Sequence, residues 1–330
     1  MRLPIDDLAS LWPRDLRGAR LGALLHPASV SAGLEHSSRI LERYSGDLFQ
    51  LRALFGPQHG YLGQTQDNMI EWRSFTHPRL GIPVHSLYGE HREPTADMLS
   101  GLDVLLVELQ DVGARYYTFV WSLYLSMRAA EAAGLAVVVL DRPNPINGIA
   151  IEGPILDPAY RSFVGLHPLP IRHGRTIGEL AAQFQKEAFP RCDLRVLPMQ
   201  GWERSMWWDQ TGLPWVPPSP NMPTPETANV YPGMCLLEAT NLSEGRGTTR
   251  PFELFGAPWI DGETFADSMN ALRLPGVFFR AAWFQPCFHK FSGELCGGAQ
   301  LHVTNRDEFL PFHTAVEILR HIHDRYPEHF

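Results

Sequence analysis

Four apolar runs in the first half of the chain, each breaking off into a polar, turn-rich segment, constrain the fold most. They are RLGALLHPAS (20–29), LFQLRALFGPQHG (48–60), DVLLVELQDVGARYY (103–117) and LAVVVLDRPNP (135–145). Short continuous runs of Val, Leu and Ala mark strands buried on both faces, as in a parallel sheet. Helical patterns fall between them. EHSSRILERYSG (35–46) places Ile40, Leu41 and Tyr44 on one face, and TFVWSLYLSMRAAEAAG (118–134) carries Phe119, Leu123, Met127 and Ala130 at helical spacing before stopping at Gly134. This alternation predicts an α/β fold: a Rossmann-like, doubly wound, mostly parallel sheet over residues 1–155, followed by a smaller α+β domain over 156–330.

The second half has a different texture. RHGRTIGELAAQFQKEA (172–188) opens a helix with a capping box from Thr176 to Glu179. The stretch at 201–233 is dense in Pro, Trp and Gly, too aromatic for a disordered linker and too rich in proline for helix or central strand. An ordered surface loop system is expected there. FLPFHTAVEILRHIHDRYP (309–327) reads as a closing amphipathic helix.

Composition removes several function classes. The 330 residues carry a net charge of −8 with no basic block, which argues against binding a nucleic-acid backbone. No apolar stretch approaches the roughly 20 residues of a membrane span, and Asp6, Asp7 and Arg14–Arg20 interrupt the start where a signal peptide needs an apolar core, so a cytoplasmic location is expected. The four cysteines lie far apart, which reads as scattered reduced thiols. No strand leads into G-x-G-x-x-G, no P-loop or G-x-S-x-G elbow occurs, and SEGRGTT (243–249) lacks a P-loop lysine. Fourteen histidines show no H-x-x-x-H or H-E-x-x-H with nearby carboxylates, so neither a metal nor a cofactor is expected.

In an open α/β sheet, ligands bind beyond the carboxyl ends of the strands. Here those ends deliver His26, then Gln58 and His59, then Glu108, Asp111 and Arg115, then Asp141, Arg142 and Asn144. Any one could be a turn or capping device; four on one edge point to a cleft. Plentiful carboxylates and absent nucleophile motifs fit work on a carbohydrate or another polar small molecule. Trp202, Trp207, Trp208, Trp215, Tyr116 and Tyr117 are either sugar-stacking rings or core.

Seven ordered blocks then carry a resemblance over nearly the whole chain: FGPQHG (55–60), PVHSLYG (83–89), ELQDVGARYYTF (108–119), LDRPNPINGIAIEGPILD (140–157), PIRHGRTIGELA (170–181), WVPPSPNMPT (215–224) and TNLSEGRGTTRPFELFGAPWI (240–260). In them the chain resembles the former DUF1343 family, whose characterised members are exo-β-N-acetylmuramidases of the NamZ type. The resemblance implies a Rossmann-like domain with a smaller C-terminal one. It also implies a glycoside hydrolase that removes terminal β-1,4-linked N-acetylmuramic acid from peptidoglycan fragments in cell-wall recycling, a muropeptide-derived disaccharide being its substrate. Two departures stand out. Many members have glutamate, put forward as the catalytic acid, where this chain has Gln58, and such proteins usually continue past YPEHF, where this one stops.

Glutamine has no titratable proton, so the acid must be sought elsewhere. Glu71, in the loop after the altered motif, is the first candidate, with His59, Glu108 and Asp111 beside it. Glu108 is alternatively a buried partner for Arg115. The lactyl carboxylate implied by the resemblance calls for an arginine, and Arg115, Arg142, Arg172 and Arg246 are the candidates. Asn144, Asn221 and Asn241 suit hydroxyl or acetamido groups, Tyr116 and Asp141 join them, and Glu244 approaches from the second domain. A glycosidase of the same fold for another amino sugar and a non-catalytic sugar-binding protein remain as alternatives.

Overall fold

The computed structural model describes residues 1–67 and 69–330. The chain forms two compact units, one of residues 1–150, 157–168 and 174–220, the other of 151–156, 169–173 and 221–330. The first unit contains, in order, α1 (Leu8–Leu11), β1 (Arg20–Leu24), α2 (Ser37–Tyr44), β2 (Gln50–Gly56), β3 (Phe75–Thr76), β4 (Pro83–Ser86), α3 (Ala96–Leu99), β5 (Val104–Val107), α4 (Phe119–Ala133), β6 (Ala136–Leu140), α5 (Ile177–Glu187) and β7 (Asp193–Leu197).

Its seven-stranded sheet runs β3-β4-β2-β1-β5-β6-β7. Every pair is parallel except β3 with β4. The chain builds outward from β1 to one side, returns, and builds outward from β5 to the other. The switch point therefore lies between β1 and β5, where open α/β sheets bind ligands. The register pairs Leu24 with Phe55 and Val107, and Val107 with Val139, so the segments that follow these four strands share one edge.

The sequence explains the centre of this sheet. β5 and β6, VLLV and AVVVL, are buried at every position, as a parallel interior strand must be. α4 buries Phe119, Trp121, Leu123 and Met127, each contributing roughly 1.5–3 kcal/mol, and ends at Gly134 in the left-handed conformation. Trp121 packs on Phe184 of α5, whose capping box from Thr176 to Glu179 is formed as expected.

Two expectations are revised. The division expected at 155/156 falls near 220, because α5 and β7 extend the first sheet: β7 pairs with β6 along its whole length. β7 escaped notice because DLRVL is a half-exposed edge strand without a continuous apolar run. The Pro/Trp-rich stretch is not all loop, since α6 spans Pro225–Met234. Pro225 sits in the first turn, where its missing N–H costs nothing, and Pro232 lies within the last. Trp208 joins the hydrophobic core, with Trp215 edge-on at 4.9 Å.

The second unit adds β8 (Leu254–Ala257), α7 (Gly262–Ala271), β9 (Val277–Phe284), β10 (Cys296–Val303) and α8 (Pro311–Arg325) to α6. Its antiparallel sheet runs β8-β10-β9, the smaller α+β partner that was expected. All four cysteines are free thiols. Among the described residues, no helix is long and apolar enough to cross a membrane.

Candidate active site

The strand ends at the switch point are locked by a buried polar network. His26, which follows β1, accepts a hydrogen bond at Nε2 from the backbone N–H of Gln110, beyond β5, at 2.9 Å. Its Nδ1 faces the Pro218 carbonyl at 3.4 Å, so Nδ1 carries the ring hydrogen and the imidazole is neutral. Burial, helped by the Arg142 charge, holds its pKa well below the ordinary value. His26 is a strut across the crevice, edge-on to Phe119 at 4.8 Å.

Arg142 ties three segments together. Its guanidinium donates to Glu108 Oε1 at 2.6 Å, to Gln110 Oε1 at 3.0 Å and to the Val30 carbonyl at 2.9 Å. Glu108 thus pairs with Arg142 and not with Arg115. The register explains this: Val107 lies opposite Val139, which sets the start of the post-β5 segment beside the post-β6 segment. Burial raises the Glu108 pKa while Arg142 opposes the rise. Arg115 is buried against the ring of Tyr116, with its carbonyl accepting from Trp121 Nε1 at 2.8 Å. Asp111 is buried, and one of its oxygens accepts the Gly113 N–H at 2.7 Å.

Asp141 caps α5, accepting from Gly178 N at 2.8 Å, Thr176 Oγ1 at 3.0 Å and Arg142 N at 3.0 Å. Gly178 permits this approach, since a Cβ there would lie 2.7 Å from the carboxyl carbon. Burial still pushes the Asp141 pKa from 3.8 up to about 6. The folded state then holds the proton to higher pH than the unfolded chain. This group's contribution to stability is therefore fully present below pH 4 and falls through pH 6, by about 3 kcal/mol. Urea unfolding at pH 4 and pH 7 should show that fall as the difference between wild type and Asp141→Asn; identical pH slopes would refute it.

FGPQHG closes the end of β2. Gly56 is required there, because a Cβ would lie 2.6 Å from Tyr61 N and 2.7 Å from the Trp72 ring. Trp72 Nε1 donates to the Pro57 carbonyl at 3.0 Å, pinning the turn from the side. His59 has φ +68°, a left-handed backbone that a non-glycine residue adopts at a cost, and its Nδ1–H donates to the Thr65 carbonyl at 3.0 Å. Gln58 is buried, and its Oε1 accepts from Thr118 Oγ1 at 2.7 Å. Sequence reasoning missed Thr118; its position one residue before α4 was the available signal.

Other predicted residues are committed locally. Asn144 spends both ends of its amide on the Arg175 carbonyl and the Ile146 N–H. Glu71 is exposed and ion-paired with Arg92 at 3.0 Å. It lines a cavity of about 660 Å³ with Trp72, Arg73, Ser86 and His91. In the second unit, Glu244 is fully buried among Arg246 Nε at 3.3 Å, His289 Nδ1 at 3.2 Å and Lys290 Nζ at 3.1 Å. Arg246 also holds Glu238 at 2.6 Å. Arg172 is buried, which lowers its pKa to about 10 against the pull of Glu152. Asn221 is buried, and Asn241 donates to the His329 carbonyl at 2.6 Å.

A seven-stranded, mostly parallel, doubly wound sheet with a polar edge at its switch point places the chain among the open α/β folds, in which a crevice forms at the strand ends. Within that class the chain is a member of the exo-β-N-acetylmuramidase NamZ family, whose N-terminal domain matches residues 21–226 and whose C-terminal domain matches residues 229–330. It is 49% identical over 326 residues to the peptidoglycan β-N-acetylmuramidase NamZ of Bacillus subtilis (strain 168), across 99% of this chain and 78% of that one. Two DUF1343 family proteins from Bacteroides fragilis share the structure. One has TM-score 0.91 at 35% identity, covering 99% of this chain and 83% of its own; the other has 0.74 at 29%, covering 99% and 82%.

Proposed function

We propose that the chain is an exo-acting glycoside hydrolase that releases terminal β-1,4-linked N-acetylmuramic acid from peptidoglycan fragments, in cell-wall recycling in the cytoplasm. The observation that carries the reading is the relation to the B. subtilis muramidase, 49% identity across 99% of the chain. The rigid switch-point edge is its physical counterpart. Gln58 and His59 form the floor, the amide of Gln58 placing a donor toward a sugar oxygen and Thr118 fixing its orientation. Asp111 and Glu71 are the two carboxyl groups we assign to catalysis, one as acid and one as base or nucleophile. Glu108, Asp141, Arg142 and Asn144 position the edge, and Arg115 and Tyr116, which follow β5, are its candidate recognition residues.

Chromogenic β-glycosides test the reading. N-acetylmuramic acid should be released and N-acetylglucosamine should not. Asp111→Asn and Glu71→Gln should each lower kcat by about 10²-fold or more. A variant with unchanged kcat removes its residue from the pair. Gln58 favours one second reading, a non-catalytic sugar-binding protein, which saturable binding without any turnover would establish.

A further inference from the structure

The arginines that the motif blocks single out make poor ligands for a substrate anion where their partners are known. Arg142 is spent on Glu108, Gln110 and a carbonyl, and Arg246 on Glu238 and Glu244. Two arginines outside every block stand differently. Arg39, on α2, and Arg79, before β4, line an open cavity of about 370 Å³ together with His36, His77, Tyr61 and Leu62. The walls belong to the strand-end edge: Tyr61 and Leu62 directly follow FGPQHG, and His36 Nε2 lies 3.1 Å from the carbonyl of His26.

From this geometry we infer that the cavity is a carboxylate-binding subsite that selects the acidic sugar, resting on the glycosidase reading above. Three observations carry it. In a chain of net charge −8, two arginines line this cavity, and among the described residues no carboxylate does. Arg39 is exposed, and Arg79 shares a half-exposed pair with Glu42, a contact that a bound anion can replace. His77 Nδ1 accepts from the backbone N–H groups of Arg79 and Leu80 at 3.3 and 3.2 Å, so its Nε2 carries the hydrogen and adds a neutral donor.

The apolar part of the ligand has a place as well. Leu62 is 62% exposed although it follows Tyr61, which is 4% exposed and wedged between His36 at 5.6 Å and His77 at 6.0 Å. A fixed ring with an exposed leucine beside it makes a firm apolar rim next to the cations. A carboxylate carried on a short apolar branch of a sugar matches that combination, with the guanidinium fork meeting the carboxylate. Both a lactyl group and the carboxylates of an attached peptide have this chemistry.

The test reads binding and turnover separately in Arg39→Ala, Arg79→Ala and the double variant, each checked for a wild-type circular dichroism spectrum. Calorimetric titration with free N-acetylmuramic acid and with N-acetylglucosamine should show a preference for the acid in wild type. The double variant should lose at least 10-fold of that preference while N-acetylglucosamine binding holds. KM for the chromogenic muramic glycoside should rise with kcat nearly constant. A muramic acid whose lactyl group is amidated to a short acidic peptide separates the sources. If it binds as tightly as the free acid through the same arginines, the peptide carboxylates occupy the site; if it binds weakly, the lactyl carboxylate does. A preference that survives in the double variant overturns the subsite and leaves the glycosidase reading standing. An arginine-dependent preference without turnover overturns the glycosidase reading and leaves the subsite standing.

Discussion

Replacing Arg142 by leucine should destabilise the protein by about 3–5 kcal/mol, the cost of leaving a buried charge without its partner. The charge left behind is Glu108, fully buried at the end of β5, and the loss reaches the Gln110 side chain and the Val30 carbonyl as well. The unfolding midpoint in urea near pH 7 is the measurement. Because burial already raises the Glu108 pKa, protonation can relieve the stranded carboxylate, and the deficit should shrink as the pH is lowered. Arg142→Leu with Glu108→Leu should recover most of the loss, since removing both members of a buried pair costs far less than removing one. A single variant within 1 kcal/mol of wild type would show that the network is not what locks the edge.

That network was half legible in the sequence. The strands before it were readable because β5 and β6 are buried on both faces and so carry unbroken apolar runs. Their register was not, and register decides which polar side chain meets which: Glu108 meets Arg142, not Arg115. The same limit applies to Gln58. Its place at a strand end could be read from glycine and proline, whereas its partner Thr118 lies 60 residues away and is brought in by the packing of α4. Edge strands escaped for the opposite reason. β3 has two residues, and β7 mixes Asp193 and Arg195 into its pattern, because an edge need not be buried. Arg39 and Arg79 carry no motif, and the fold alone gathers them into one cavity.

Gln58→Glu should raise kcat on the muramic glycoside by about 10²-fold, within the range a placed general acid supplies. The argument starts from Thr118, whose hydroxyl donates to Gln58 Oε1 at 2.7 Å and so fixes which end of the amide points away from it. A glutamate in the same rotamer would keep one oxygen on that hydroxyl and place the other where the amide nitrogen now stands. Burial favours the neutral acid, and the Thr118 donor favours the anion; with the side chain this covered, desolvation should keep the proton on at mildly acidic pH. The variant's kcat should therefore gain an alkaline limb of its own, beside the one set by the acid of the Asp111 and Glu71 pair, falling as the new carboxyl ionises. Gln58→Ala should do something different: it removes a donor to the sugar without touching proton transfer, so KM rises more than kcat falls. If Gln58→Glu leaves kcat unchanged and adds no limb, position 58 is not where the leaving oxygen sits. The family glutamate would then act through placement of the sugar, a role that glutamine already fills.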